Sequence, residues 1–196
     1  MTHKNYNNNE KSVFIKPQQY EYEVELRTKG NLENKIKNVF GIVPENKIYC
    51  VDSYIKYDKN TGFIHRLRKI NKNENIKYFE MFKYPTTHKG HLLETEPEIL
   101  TQKQYEKKIK ENNLIVIVEG SRKQIKYNGL SFCFDDILNL GEWTEFEKII
   151  YDKNKIKKTE GELIEIANSL GIKKNKLLKK PYPQMILEKN ARSNNY

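Results

Sequence analysis

Two short runs of this sequence carry paired glutamates at a spacing of two residues. The runs are residues 21–27, with Glu23, Glu25 and Arg27 on one face, and residues 143–147, with Glu145 and Glu147 on one face. Strict alternation predicts β-strands, on which neighbouring side chains of one face lie roughly 7 Å apart. One such strand usually turns its charged face to water. Two acidic pairs that face each other would need cations.

Basic side chains fall in phase on other predicted strands. They are Arg66 and Arg68 on one strand, Lys83 at the end of another, and Arg122 and Lys126 on a third. If the acidic and basic faces all point inward, the domain has a charged interior and an apolar outer surface that packs against helices. Because unpaired buried charges are strongly penalised, such an interior suits an anionic, metal-bound ligand. Structural salt bridges are the alternative for individual residues, above all for Lys56 and Lys126.

The composition agrees with an anionic ligand. The 196 residues carry a net charge of +10, with 37% hydrophobic and 32% charged residues. A positive balance favours phosphate-rich partners, whether nucleotides or nucleic acid. Cys50 and Cys133 show no metal or redox spacing. No apolar run approaches the ~18 residues of a membrane helix and no signal-peptide core is present, so we expect a soluble, cytoplasmic protein.

The chain predicts three helices and about eight strands. Asn31, Thr101 and Thr159 can cap the helix starts, and Gly41 and Gly171 can end the first and the last helix. The predicted strands span residues 21–27, 47–57, 63–69, 77–83, 114–119 continued by 122–127, 130–135 and 142–150.

Turn chemistry joins the strands into antiparallel hairpins. Residues 58–62 and the pair Asn128-Gly129 are typical hairpin turns. We therefore predict an α+β domain built on a closed or nearly closed, eight-stranded antiparallel β-barrel with flanking helices, because closure leaves no exposed strand edge. The predicted organisation is a disordered tail at residues 1–19, the barrel domain at 20–188, and a C-terminal tail at 189–196.

The ordered motifs of residues 20–187 resemble those of the CYTH, or triphosphate tunnel metalloenzyme, superfamily. It includes class IV adenylyl cyclases, thiamine triphosphatases and inorganic triphosphatases. The run Glu23-x-Glu25-x-Arg27 resembles its ExExK signature. The other matching elements follow in order: Asp52-Ser53-Tyr54, His65-Arg66-Leu67-Arg68, Met81-Phe82-Lys83-Tyr84-Pro85, Arg122, Asp135, Leu140-Gly141 and Glu145-Phe146-Glu147. The elements most similar to the class IV cyclase branch are Leu170-Gly171-Ile172, Pro181-Tyr182 and Met185-Ile186-Leu187.

The resemblance implies a triphosphate tunnel that holds Mg²⁺ or Mn²⁺ and a triphosphate. Carried over by position, the metal ligands are Glu23, Glu25, Glu145 and Glu147, since oxygen ligands suit these hard cations. The implied substrate-binding residues are Arg27, Arg66, Arg68, Lys83, Arg122 and, as a further candidate, Lys126. The implied catalytic set is Glu23, Glu25, Arg27, Lys83 and Asp135.

Several reactions would use the same site. In the cyclase reaction, which the C-terminal segment and the length favour, the ribose 3′-hydroxyl of ATP attacks the α-phosphorus, yielding 3′,5′-cyclic AMP and pyrophosphate. In a triphosphatase, water attacks a terminal phosphorus of inorganic tripolyphosphate, thiamine triphosphate or a nucleoside triphosphate. A nucleotide-binding protein without turnover and an RNA 5′-triphosphatase are further alternatives. The resemblance also implies that a homodimer is one oligomeric state to test.

Three positions depart from the family pattern. Arg27 stands where the signature has lysine, Gly120 stands where a lysine is expected, and the segment at 91–94 lacks an expected arginine. A missing phosphate contact at Gly120 implies a shifted substrate or weakened catalysis. The histidines show no ligand or triad spacing, and we predict that none is catalytic: His3, His65, His88 and His91.

Overall fold

The computed structural model of the protein describes residues 21–44, 47–86 and 92–193. The predicted tail at 1–19 lies outside these ranges, as do His3, His88 and His91. The strands are β1 (Glu21–Lys29), β2 (Ile48–Tyr57), β3 (Ile64–Lys72), β4 (Asn75–Pro85), β5 (Leu92–Glu94), β6 (Glu98–Leu100), β7 (Val116–Tyr127), β8 (Leu130–Ile137) and β9 (Gly141–Ile150). The helices are α1 (Glu33–Phe40), α2 (Gln102–Glu111), α3 (Ile156–Ser169) and α4 (Tyr182–Ser193).

Eight of the strands close into an antiparallel barrel. They follow the order β3-β2-β7-β8-β9-β1-β5-β4, and β4 pairs with β3 to complete the ring. The short strand β5 joins β1 to β4, and β6 lies beside it on the same edge of β4. The predicted eight-stranded barrel is confirmed. The sequence did not reveal β5 and β6, because three residues are too few to show a periodicity.

The apolar core lies outside the barrel wall. The outer face contributes Val24, Phe132 and Phe146, which pack with Ile36 of α1 and Leu163 of α3. Burial of each such side chain contributes roughly 1.5–3 kcal/mol to folding. Because side chains alternate along a strand, the residues between them point into the barrel. The predicted charged interior with helices on an apolar outer surface is confirmed.

One of the three predicted caps is confirmed: Thr101 forms a reciprocal capping box with Gln104. Asn31 accepts a hydrogen bond from the Glu33 amide at 2.9 Å, but Leu32 is the N-cap of α1, because its carbonyl oxygen accepts the first helical hydrogen bond, from the Ile36 amide. The predicted cap at Thr159 is wrong, because α3 begins one turn earlier and buries Thr159 within it. Ile156 is fully buried in the outer core, so packing extends the helix upstream.

The fourth helix was not predicted. α4 packs against β7 and extends past residue 188, where a tail was expected. Tyr182, Met185 and Ile186 on this helix are buried against one end of the barrel. None of the four helices, within the described ranges, is long and apolar enough to cross a membrane.

Candidate functional site

The interior of the barrel contains a cavity of about 310 Å³. Its ionisable lining consists of seven carboxylate residues and five basic residues. The acidic residues are Glu23, Glu25, Asp52, Glu94, Asp135, Glu145 and Glu147, and the basic residues are Arg27, Arg66, Arg68, Lys83 and Arg122. The carboxylates outnumber the basic groups by two.

Every predicted site residue except Lys126 lines this cavity. Lys126 lies on β7 in phase with Arg122, but it is exposed beyond the cavity lining. Lys56 on β2 is also exposed, and its ammonium lies 5.4 Å from the centre of the Phe63 ring. Spacing along a strand therefore identified the inward face, but it did not show how far along the barrel each side chain lies.

Three carboxylates form the candidate metal site. Oxygen atoms of Glu23, Glu25 and Glu147 lie within 4.8 Å of one another. The pairing of β1 with β9 places Glu25 directly opposite Glu147. Burial and the neighbouring Glu23 carboxylate raise the pKa of Glu147 to about 8, and burial also raises the pKa of Glu25. An all-carboxylate set is the ligand chemistry of Mg²⁺ or Mn²⁺, so these residues fit the implied cation.

Glu145, the fourth predicted metal ligand, is bound by two arginines. Arg27 Nε donates to Oε1 of Glu145, and Arg122 Nη2 donates to Oε2 at 2.6 Å. Burial opposes ionisation, but these two guanidinium groups lower the pKa of Glu145 to about 2. Glu145 also lies within 4.8 Å of the Cys133 thiol and the Glu147 carboxylate. In this state it is a counter-ion beside the metal site.

Asp52 holds the two arginines of β3. Its carboxylate accepts two hydrogen bonds of 2.6 Å from Arg68 and one of 3.1 Å from Arg66. Although Asp52 is buried, the two guanidinium groups hold its pKa well below the usual range. The sequence motif contained Asp52 but did not reveal this role. Its signal was the cross-strand register, in which Asp52 pairs with Arg68.

Two charged groups of the lining are incompletely satisfied among the described residues. Arg66 Nε and Glu94 Oε1 are buried and have no hydrogen-bond partner there. The distance from Arg66 Nη2 to Glu94 Oε1 is 3.6 Å, which is too long for a hydrogen bond. A buried guanidinium donor with a free position is able to bind an anionic oxygen.

Lys83 lies between two carboxylates. Its ammonium contacts Glu23 and lies 3.6 Å from Glu94, its direct partner in the β4–β5 register. Burial disfavours the charged ammonium, but Glu23 and Glu94 raise the pKa of Lys83 above its usual value. Glu94 was not predicted as a site residue. The only feature of its segment that the sequence suggested was the absence of an expected arginine.

The C-terminal segment completes the lining. The Tyr182 hydroxyl donates to Oδ2 of Asp135 at 2.8 Å, and Asp135 accepts two hydrogen bonds from Arg122 at 2.6 and 2.8 Å. The Arg27 guanidinium lies 5.1 Å from the centre of the Tyr182 ring. Tyr182 thus contacts two of the predicted phosphate-binding groups, one directly and one through Asp135.

A close approach of the neighbouring strand explains why residue 120 is glycine, and the sequence alone did not reveal it. A Cβ atom added there would lie 2.4 Å from the Asp136 carbonyl oxygen and 2.9 Å from Ile137 Cα. Contacts of this kind with backbone atoms require the strands to separate. This backbone therefore cannot carry the lysine that the family pattern has at this position.

No family model and no curated protein matches the sequence. Several solved structures share its fold. A protein from Pyrococcus horikoshii OT3 has a TM-score of 0.74 and 22% identity, over 85% of this chain and 99% of that one. A candidate adenylate cyclase from Vibrio parahaemolyticus has a TM-score of 0.65 and 16% identity, over 84% and 97%. A candidate adenylyl cyclase from Hippeastrum, with a dominant triphosphatase activity, has a TM-score of 0.51 and 14% identity, over 78% and 88%.

These likenesses show that the chain has the fold of proteins named as candidate adenylate cyclases. The predicted barrel fold is therefore shared with these solved structures. At such identities the likeness extends to architecture and does not select a reaction.

Proposed function

We propose that the protein is a metal-dependent enzyme that binds a triphosphate inside the barrel and acts on it. One observation carries this proposal: a triplet of carboxylates and a set of five basic residues line the same cavity inside the barrel. The first group suits a hard divalent cation, and the second suits an anion with several charges. A metal-bound triphosphate is the ligand that uses both.

Glu23, Glu25 and Glu147 would hold the cation. When bound, Mg²⁺ or Mn²⁺ would neutralise phosphoryl oxygens and polarise the phosphorus. Glu145 would join this set when its two arginines turn toward the phosphate oxygens. That exchange replaces carboxylate–guanidinium contacts with phosphate–guanidinium contacts of similar strength.

The basic residues would hold the phosphate chain. Arg66 offers an Nε donor that has no hydrogen-bond partner among the described residues, and Arg68 is kept in a planar, bidentate orientation by Asp52. Arg27 and Arg122 reach the same space from β1 and β7. Preorganised donors of this kind stabilise the negative charge that develops as a phosphoryl bond breaks.

For the specific reaction we propose class IV adenylyl cyclase activity. The ribose 3′-oxygen of ATP would approach the α-phosphorus to about 3–3.5 Å, with pyrophosphate as the leaving group. Arg27, Arg66 and Arg122 would bind the pyrophosphate oxygens. The C-terminal sequence similarity supports this reaction, as does the shared fold of the Vibrio parahaemolyticus protein.

Hydrolysis of a triphosphate is the second candidate, and one observation favours it. A cyclase must fix the nucleoside as well as the phosphates, and the C-terminal segment around Tyr182 was the part of the sequence that favoured the cyclase reaction. The Tyr182 hydroxyl and ring are instead engaged by Asp135 and Arg27 inside the barrel. Hydrolysis needs no nucleoside contact at that position.

Product analysis tests these proposals. The protein is incubated with Mg²⁺ or Mn²⁺ and either ATP, tripolyphosphate or thiamine triphosphate, and cyclic nucleotide, pyrophosphate and orthophosphate are separated. Cyclic AMP with pyrophosphate from ATP supports the cyclase, whereas orthophosphate without a cyclic product replaces it with a triphosphatase. If no triphosphate is either turned over or bound, the proposal of a triphosphate-binding enzyme is overturned. Glu25→Gln is the matched inactive control, and Glu142→Gln, which changes an exposed glutamate of the same sheet, is the active control.

A further inference from the structure

A thiol lies inside the barrel beside the carboxylates. Cys133 on β8 pairs directly with Glu145 on β9, and it shares the inward face of β8 with Asp135, which lines the cavity. The Cys133 side chain is fully buried. Sequence spacing did not indicate a metal-binding role for this cysteine, because its neighbours in space come from other strands.

Cys133 forms a second group of possible metal ligands with two glutamates. Its sulfur and a carboxylate oxygen from each of Glu145 and Glu147 lie within 4.8 Å of one another. Ligand atoms around one Zn²⁺ ion lie roughly 3.5 Å apart, because its bonds to sulfur and oxygen are about 2.0–2.3 Å long. Small side-chain rotations would therefore bring all three ligand atoms onto one cation.

Two members of this group have unused capacity to bind a ligand. Within the described part of the chain, the Cys133 sulfur accepts one long hydrogen bond, of 3.6 Å from Gln124 Nε2, and its own hydrogen has no acceptor. Glu147 has neither a hydrogen bond nor a salt bridge to any described residue. Polar groups without partners are unfavourable in a buried site, and a bound cation would satisfy both.

Glu145 can take part without losing its arginines. A carboxylate offers about four lone-pair positions to donors or cations. In Glu145, Arg27 uses one position on Oε1 and Arg122 uses one on Oε2. A lone pair on each oxygen therefore remains available to a cation.

The chemistry of this group differs from that of the carboxylate triplet. Carboxylate oxygens suit Mg²⁺ and Mn²⁺, whereas a thiolate sulfur is a soft ligand that favours Zn²⁺ and similar cations. We propose that Cys133, Glu145 and Glu147 form a second cation site inside the barrel, which binds a thiophilic divalent cation such as Zn²⁺ through the Cys133 sulfur. Because Glu147 belongs to both groups, occupation of this site removes one ligand from the Mg²⁺ or Mn²⁺ site.

Cadmium binding to the full-length protein is the direct test. Cd²⁺ bonded to a thiolate gives an ultraviolet charge-transfer band, which Cd²⁺ bonded only to oxygen does not give. The reduced protein is titrated with Cd²⁺ in the absence of added thiols and phosphate compounds. We expect the band to reach full intensity at a single Cd²⁺ per chain and to persist in excess Mg²⁺, because Mg²⁺ is a poor partner for sulfur.

Cys50 provides the matched control. It is the other cysteine of the chain and also lines the cavity, but it belongs to no ligand group among the described residues. Cys50→Ser, in which Cys133 is the sole thiol, should keep the band, and Cys133→Ser should lose it. Glu147→Gln should weaken Cd²⁺ binding by about tenfold or more, since loss of even an outer-shell partner typically costs about 10–100-fold in metal affinity.

A Cys50→Ser protein without the band overturns the second site, as does a band that remains in Cys133→Ser or an unchanged affinity in Glu147→Gln. The Cys50→Ser result leaves the buried Cys133 intact, so it decides the question even if Cys133→Ser fails to fold. The titration contains no triphosphate, so its failure is distinct from failure of the proposed function.

Discussion

Glu25 and Glu147 face each other directly across the β1–β9 pair, with Glu23 close to both. Like charges at this separation in a buried site repel each other, and burial further disfavours ionisation. Arg27 offsets part of this repulsion at Glu25 and Lys83 does so at Glu23, and either a proton or a cation relieves the rest. This alternative leads to two predictions on stability.

Divalent metal should stabilise the fold. Saturating Mg²⁺ or Mn²⁺ should raise the melting temperature of the wild type, because the cation binds the folded state. Glu147→Gln should remove most of this response, yet in EDTA above about pH 8, where Glu147 is ionised, it should be more stable than the wild type, because one repelling charge is gone. Glu142→Gln, on the same strand but exposed, should keep the metal response. Scanning calorimetry with metal and with EDTA measures these melting temperatures. A wild type whose melting temperature does not change with metal would contradict the proposed metal site.

The metal-free protein should lose stability as the pH rises. The ordinary pKa of Glu147 is 4.5 and its folded pKa is about 8. Between these values the folded state binds more protons than the unfolded state, so the free energy of unfolding falls with increasing pH. The stabilisation is fully present below about pH 4.5 and is lost as the pH approaches 8. Denaturant titrations across this pH window should show that the free energy of unfolding falls less steeply with pH in Glu147→Gln than in the wild type. An identical pH dependence in both proteins would show that Glu147 ionises normally.

The arginines of β3 should contribute to anion binding more than the exposed lysines do. Arg68→Ala should weaken tripolyphosphate binding by about tenfold or more, since hydrogen bonds to charged groups contribute roughly 1.5–3 kcal/mol. Arg68→Lys should recover only part of it, because lysine cannot form the bidentate contact. Lys126→Ala serves as the control and should bind nearly as well as the wild type. Equal losses in Arg68→Ala and Lys126→Ala, measured by calorimetric titration, would contradict the assignment.

Gly120 should tolerate no side chain. Gly120→Ala should destabilise the protein by about 1–3 kcal/mol, the usual cost of overpacking, because its Cβ meets the backbone of β8. Gly161→Ala is the matched control: apart from its chain neighbours and the backbone of its own helix, no described heavy atom lies within 4 Å of the added Cβ, and alanine favours the helix by roughly 0.5–1 kcal/mol. Chemical denaturation gives both values. A neutral Gly120→Ala would mean that the strands separate easily at this point.

The sequence predicted the barrel because alternation specifies which face of a strand is buried. It assigned Arg66, Arg68 and Glu147 to the interior for that reason, and all three line the cavity. It did not separate Arg122 from Lys126, because depth in a barrel depends on register and closure rather than on spacing. The cross-strand contact of Arg66 and Arg68 with Asp52 is also a matter of register.

The C-terminal helix was missed for a different reason. Its apolar residues, Met185 to Leu187, are few, and its burial depends on the end of a barrel formed by distant strands. Truncation before Pro181 would remove the whole of this buried helix along with Tyr182. Point substitutions at Tyr182 are therefore the better test of the C-terminal segment.

The central claim is that metal and triphosphate bind together in the barrel. Calorimetric titration of tripolyphosphate into the protein, with saturating Mg²⁺ and with EDTA, tests it most directly. We expect tight binding with Mg²⁺, binding weaker by about tenfold or more in EDTA, and loss of the difference in Glu25→Gln. Equal affinity with and without metal in the wild type would contradict it.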